Sequence, residues 1–276
     1  MTSNSRLLVI DAGTTGIRAL IYDGQAEVIA QSYTEFPQYH PLPDRVEQEP
    51  EEIWQATQQV LRQALDQADL RPNDVTAIGI TNQRATSVLW DRETGDSVSR
   101  AIVWQDTRTA DRAAELADQW GERVYSRTGW ALAPVYSALS IEWCLNNVDG
   151  LRELADAGRL AFGTVDSWLI YKLTGGAEHV MSASNASVTG SYDLTTGQWY
   201  TDWLEFLHIP VDIYPQVRDD SGHLGVTSSD IVGAAIPIAS AIADQHSSLF
   251  AQGCIEPGMV KCTHGTGTFL DMTIGS

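Results

Sequence analysis

Apolar and polar positions at the start of the chain come in short runs broken by a glycine turn. Leu7 to Asp23, LLVIDAGTTGIRALIYD, sets two apolar runs on either side of Gly-Thr-Thr-Gly, the pattern of a β-hairpin, and residues 28–34 (VIAQSYT) add another short strand. Pro37, Pro41, Pro43 and Pro50 mark an extended loop. The period then changes. From Glu51 to Ala68, Ile53, Trp54, Val60, Leu61 and Leu65 recur at helical spacing, and the acidic start EPEEIW suits the positive end of a helix dipole. Val75 to Thr81 (VTAIGIT) reads as a buried strand, and Ser87 to Trp90 with Ala101 to Trp104 as the two sides of a second hairpin around ETGDS.

Helices are predicted over Arg108 to Trp120 and Ala138 to Val148, and Phe162 to Leu173 reads as a turn continuing into a helix. Residues 174–200, rich in Gly, Ser, Thr and Asn, are expected to be mostly loop, with a short helix after them from Tyr200 to Leu207. Ile236 to Ala243 is a strand running into the helix ADQHSSLFAQG, closed by Gly253. Strands and helices alternate without segregation, which predicts an α/β fold. One internal similarity stands out. MVKCTHGTGTFLDMT (259–273) repeats the plan of LLVIDAGTTGIRALI, with Gly13-Thr14 matching Gly265-Thr266. Two such hairpins could face each other across a cleft and offer turn N–H groups to one polyphosphate; Gly-Thr turns are also common in ordinary hairpins.

Composition narrows the classes. With 17 Lys plus Arg against 36 Asp plus Glu, the formal net charge of the 276 residues is −19, a field that repels nucleic acid and anionic lipid. Only Lys172 and Lys261 are lysines, so any anionic ligand must be met by arginines and backbone N–H groups. No apolar run approaches the roughly 18 residues a membrane span needs, and the N-terminus lacks a signal-peptide pattern. Cys144, Cys254 and Cys262 form no C-x-x-C pair, which fits a reducing, cytoplasmic setting rather than a disulfide scaffold or a zinc site.

The candidate chemistry lies at turns and strand ends. Asp11-Ala12-Gly13-Thr14-Thr15-Gly16 has the make-up of a phosphate-binding turn, with Arg18 two residues beyond it and Asp11 placed to hold Mg²⁺; an Asp-capped hairpin explains the same residues. Asp244, between a strand and a helix, is either a helix cap or a general base, with Gln245 beside it. Arg84 and Trp104 each end a predicted strand, where side chains enter the crevice beyond a sheet; both also fit structural roles. No G-x-x-x-x-G-K-[ST] occurs, which excludes a P-loop, and no G-x-S-x-G accompanies His264-Gly265-Thr266-Gly267, which argues against a serine hydrolase. A dehydrogenase lacks its G-x-G-x-x-G.

Taken in order, IDAGTTGIRALIYD, VEQEPEEIW, AIGITNQRAT, AIVWQDTRT, FGTVDSWLIYKLTGG, SNAS, ADQHSSLFAQG and THGTGTF resemble the FGGY carbohydrate kinases, most of all those that act on glycerol. The resemblance runs from Leu7 to about Gly275. It implies an actin-like (ribonuclease H-like) ATPase fold, a mixed sheet flanked by helices, with residues 1–253 as the substrate-binding domain and 254–276 as the start of an ATP-binding domain. It implies ATP and Mg²⁺ as cofactors and a polyol or sugar as substrate. By position it places Asp11 near Mg²⁺ and Thr14, Thr15, Gly16, Arg18 and Thr266 near the ATP phosphates. It makes Asp244 the general base, and sets Gln245, Arg84, Trp104 and Phe269 around the substrate.

Three departures qualify those implications. Glycerol-acting members carry Glu directly after the Arg of GITNQR and Tyr after the Pro matching Pro134, where this chain has Ala85 and Val135. Each loss removes a hydrogen-bonding group, at roughly 1–3 kcal/mol for an unpaired hydroxyl in a closed site, which argues against glycerol: either Tyr136 replaces the missing phenol, or the vacated volume admits a larger polyol or sugar. Family members are also nearly twice as long. The chain alone is therefore expected to be inactive, and to work with a separate C-terminal half or as a homo-oligomer; a non-catalytic binding remnant is the alternative.

Overall fold

The computed structural model describes residues 5–265 and 267–275. Its centre is a six-stranded mixed sheet in the order Ser221–Val226, Pro237–Ala243, Ala77–Asn82, Leu7–Ala12, Gly16–Tyr22, Val28–Glu35. The first hairpin forms as predicted, with Leu7 opposite Tyr22 and Ala12 opposite Ile17. Leu7–Ala12, Ala77–Asn82 and Pro237–Ala243 are parallel neighbours, and both outer connections at the sheet edges are antiparallel.

Period-two alternation decides which face is covered. Leu8, Ile10 and Ala12 are buried with Ile78, Ile80 and Ile238, while Leu7, Val9 and Asp11 on the other face are only half-buried. The helix Pro50–Gln67 lays Ile53, Trp54, Val60, Leu61 and Leu65 on the covered face. Val165–Leu173 packs beside it, the Trp168 indole donating to the Pro50 carbonyl at 3.1 Å. A second apolar cluster forms around Ala110–Thr128 and Ser137–Asn147.

Three local expectations are corrected. Val88–Asp91 pairs with Leu160–Gly163, and Ala101–Ile102 with Glu47–Gln48. Of the hairpin expected there, the exchange between Ser87 and Ile102 (2.9 and 3.1 Å), the Val98 to Leu89 bond (3.1 Å), the Trp90–Ser97 bridge and the Asp91 to Asp96 bond (3.0 Å) remain, without forming a continuous ladder. The reason is burial: Val88–Asp91 is covered on both faces and needs a second apolar partner, which LAFG supplies. Phe162 and Gly163 thus end the strand Leu160–Gly163 where a turn was expected. The helix expected to end at Trp120 runs on to Thr128, because Val124 and Thr128 continue its buried stripe to Gly129 in the left-handed conformation that closes it.

Candidate functional site

Three parallel strands end side by side, Ala12 and Ala243 both flanking Asn82. The segments leaving those ends converge: the Gly13-Thr14-Thr15 turn, Gln83-Arg84-Ala85, and Asp244 opening the helix Asp244–Ala251. The carboxyl ends of parallel strands are where α/β sheets bind ligands. A cavity of about 470 Å³ lies there, lined by Thr14, Arg84, Trp104, Tyr136, Asp244, Gln245 and Phe269 together with Ala85 and Val135.

Contacts fix the order of groups along it. The Trp104 indole donates to Thr14 Oγ1 at 3.1 Å, its ring meets Phe269 edge-on at 5.9 Å, and the Arg84 guanidinium lies 5.5 Å from the Phe269 ring centre. Arg84 Nε stands 3.4 Å from Asp244 Oδ1. Burial pushes the Asp244 carboxyl above its ordinary value, with Arg84 opposing, and pulls Arg84 below its own, with Asp244 and Asp271 opposing. Tyr136 is pushed up to about 12 by burial, Arg84 again opposing. Asp11 is raised by burial against the pull of Arg18, its cross-strand partner, and its charge is felt at Asp244.

The second hairpin, Val260–His264 with Thr268–Met272, brings Thr263, Gly265 and Gly267 to the same cavity as Thr14. Thr14 of the first turn and Gly265 of the second hairpin therefore face one cleft. Thr266 lies outside the described residues. Lys261 locks this hairpin to the site: its buried ammonium donates to Gln245 Oε1 (2.5 Å) and Thr263 Oγ1 (2.8 Å) and pairs with Asp271 (2.9 Å). Gln245 thus has its oxygen engaged by protein.

Asp11, Thr15, Gly16 and Arg18 stand outside the cavity lining. Arg18 is exposed over the Tyr33 ring, 5.7 Å from its centre. Gly16 answers to packing, since a Cβ there would stand 2.7 Å from the Thr34 carbonyl oxygen. The turn still presents donors: among the described residues no protein acceptor meets the backbone N–H of Thr14 or Thr15, while that of Gly13 closes the turn on Gly16 at 3.0 Å. Free N–H groups beside a half-buried carboxyl suit phosphate and a hard cation respectively.

Residues visible in the sequence only as letters of a motif hold this geometry. Gln48 and Gln38 donate to the Thr14 carbonyl at 2.7 and 3.1 Å, and Gln83 donates to the Gly13 carbonyl and to Gln48. Asn82 and Asn185 exchange amide hydrogen bonds at 3.0 and 2.9 Å. Asn185 is tied through Ser182 to Asp166, fully buried and raised by desolvation. Ser184 Oγ accepts from the Ala243 N–H at 2.9 Å, fixing the residue before Asp244. Ala85 takes φ +61° without being glycine, spanned by a 2.8 Å bond from Thr86 N–H to the Arg84 carbonyl; such strain gathers at functional sites.

The mixed α/β fold is actin-like and matches the N-terminal half of solved FGGY kinases, and residues 6–251 match the FGGY family of carbohydrate kinases, N-terminal domain: the chain belongs to that family. It is 48% identical over 270 residues to a glycerol kinase of Methylobacterium nodulans, covering 98% of this chain and 54% of that protein. Glycerol kinase 2 of Thermotoga maritima is 44% identical over the same shares. The glycerol kinase of Plasmodium falciparum, solved with ADP, superposes with a TM-score of 0.91 at 29% identity over 96% of this chain and 54% of that one. A xylulose kinase from Rhodospirillum rubrum, at 24% identity and a TM-score of 0.85, shares the fold. The chain spans about half the length of the curated relatives it matches.

Proposed function

We propose that this chain forms the acceptor side of a kinase that transfers phosphate from Mg-ATP to a sugar or polyol hydroxyl, acting with a second, nucleotide-binding half. The observation that carries the reading is one cleft in which Asp244 is paired with Arg84 while the Thr14 turn and the second hairpin meet beside them. Asp244 takes the proton of the attacking hydroxyl; burial makes it a better base, and Arg84 keeps it ionised. Arg84 and the Tyr136 hydroxyl donate to the remaining hydroxyls, and Trp104 and Phe269 cover the carbon chain. Bound Mg-ATP supplies the phosphoryl group and neutralises its charge. Asp11 would hold the cation, with Thr14, Thr15, Gly16, Arg18 and Thr266 near the phosphates. Gln245, engaged by Lys261, acts by holding the second hairpin against the acceptor site and by whatever its amide donates.

Ala85 and Val135 both line the cavity, so neither offers a side-chain hydrogen bond to glycerol. The acceptor is therefore proposed to be something other than glycerol. The test is acceptor-dependent ADP release over a panel of polyols and sugars, with the second half supplied. Turnover is expected to be higher with another member than with glycerol; glycerol leading the panel would overturn the assignment.

A further inference from the structure

Trp130, Val135 and Val188 give the cavity an apolar wall beside Tyr136. The Tyr136 ring packs on Trp130 at 5.4 Å between centres. The Trp130 indole N–H is already used, donating to the Ser187 carbonyl at 2.6 Å, so the ring offers the cavity only its hydrocarbon face. Val188, the next residue, is buried and lines the same cavity, as do Val135 and Ala85. The Ala85 carbonyl accepts from Ser137 Oγ at 3.2 Å and Ser87 Oγ at 3.4 Å. The wall is also braced: Ala138 N–H bonds the Thr189 carbonyl at 3.2 Å, and a Cβ on Gly190 would stand 2.8 Å from that of Tyr136. Arg84, Asp244 and the Tyr136 hydroxyl thus supply polar groups to the cavity, and the side chains of Trp130, Val135, Val188 and Ala85 supply hydrocarbon.

We propose that this wall is a subsite for an apolar group carried by the acceptor. This rests on the kinase reading above and narrows it. The acceptor is a short polyol whose hydroxyls meet Arg84, Asp244 and Tyr136, and whose next carbons bear a hydrocarbon substituent against Trp130, Val135 and Val188. A longer sugar or polyol would press hydroxyls on this wall without partners, at about tenfold to a hundredfold in affinity for each. Hydrocarbon gains there instead.

The experiment compares dissociation constants of glycerol, xylitol and glycerol 1-butyl ether by titration calorimetry on the chain. The ether is expected to bind at least about tenfold more tightly than either of the others. Trp130→Ala should reduce that ratio to below about threefold, Trp130→Phe should keep most of it, and Val135→Asn should turn the preference toward xylitol. Circular dichroism establishes that each variant is folded, and the three side chains give independent readings of the wall. Glycerol or xylitol binding as tightly as the ether, or a ratio unmoved by Trp130→Ala and Val135→Asn, overturns the subsite and leaves the kinase reading standing. Failure of all three ligands to bind overturns the subsite, and the kinase reading then stands or falls on the ADP-release panel.

Discussion

The carboxyls of Asp11 and Asp244 are shifted in the same direction, and for Asp11 the sign has a consequence for stability. Its folded pKa lies above the ordinary value of 3.8, so the native state holds its proton more tightly than the unfolded chain. Stability from this group is fully present below 3.8 and is lost as pH rises through the folded value. Asp11→Asn escapes that loss: its Tm is expected to exceed wild type at pH 7, and the gain to shrink toward zero near about pH 3, where both states of wild type are protonated. Thermal melts at the two pH values check this. Mg²⁺ added at pH 7 should raise the Tm of wild type and not of the variant, because a ligand stabilises only the state that binds it. Asp244 and Arg84 were legible in sequence as residues at element ends. Lys261 and Trp130 were not, because a lysine in a predicted strand and one tryptophan among nine carry no mark of what they will touch.

At the scale of elements, the cleft stands on a buried amide pair that joins the end of Ala77–Asn82 to the helix Ala183–Ala186. Asn185→Leu leaves the Asn82 amide buried and short of partners, and is expected to cost about 1–3 kcal/mol in urea denaturation. The double replacement Asn82→Leu with Asn185→Leu should cost less than the sum of the two single ones, the mark of direct coupling. Long elements were legible because their period is sustained: the helix Pro50–Gln67 and the strands of the first hairpin lie within a residue or two of expectation. Short, fully buried strands such as Leu160–Gly163 were not, since four apolar residues have no period to read. The edge strand Ser221–Val226 carries Gly222, His223 and Gly225 and lacks the alternation that marks a strand.

For the molecule as a whole, a net charge of −19 means that the compact state works against its own repulsion. Raising KCl from about 0.05 M to 1 M is therefore expected to raise the Tm, as screening shortens the range of those charges; a Tm that falls with salt would show that specific ion pairs outweigh the repulsion. The pairing of two distant Gly-Thr hairpins across one cleft was legible as an internal repeat, and the geometry brings Thr14 and Gly265 to the same cavity. Their position relative to Asp244 was not legible, because it depends on three strand ends meeting in register and on the Lys261 contacts. The most direct test of the cleft as a reaction site is acceptor-dependent phosphoryl transfer by Asp244→Asn, with the second half supplied to variant and wild type alike. The expected result is a kcat lower by about 10²–10⁴ with KM for the acceptor little changed; a variant that keeps the wild-type kcat would remove Asp244 from the chemistry.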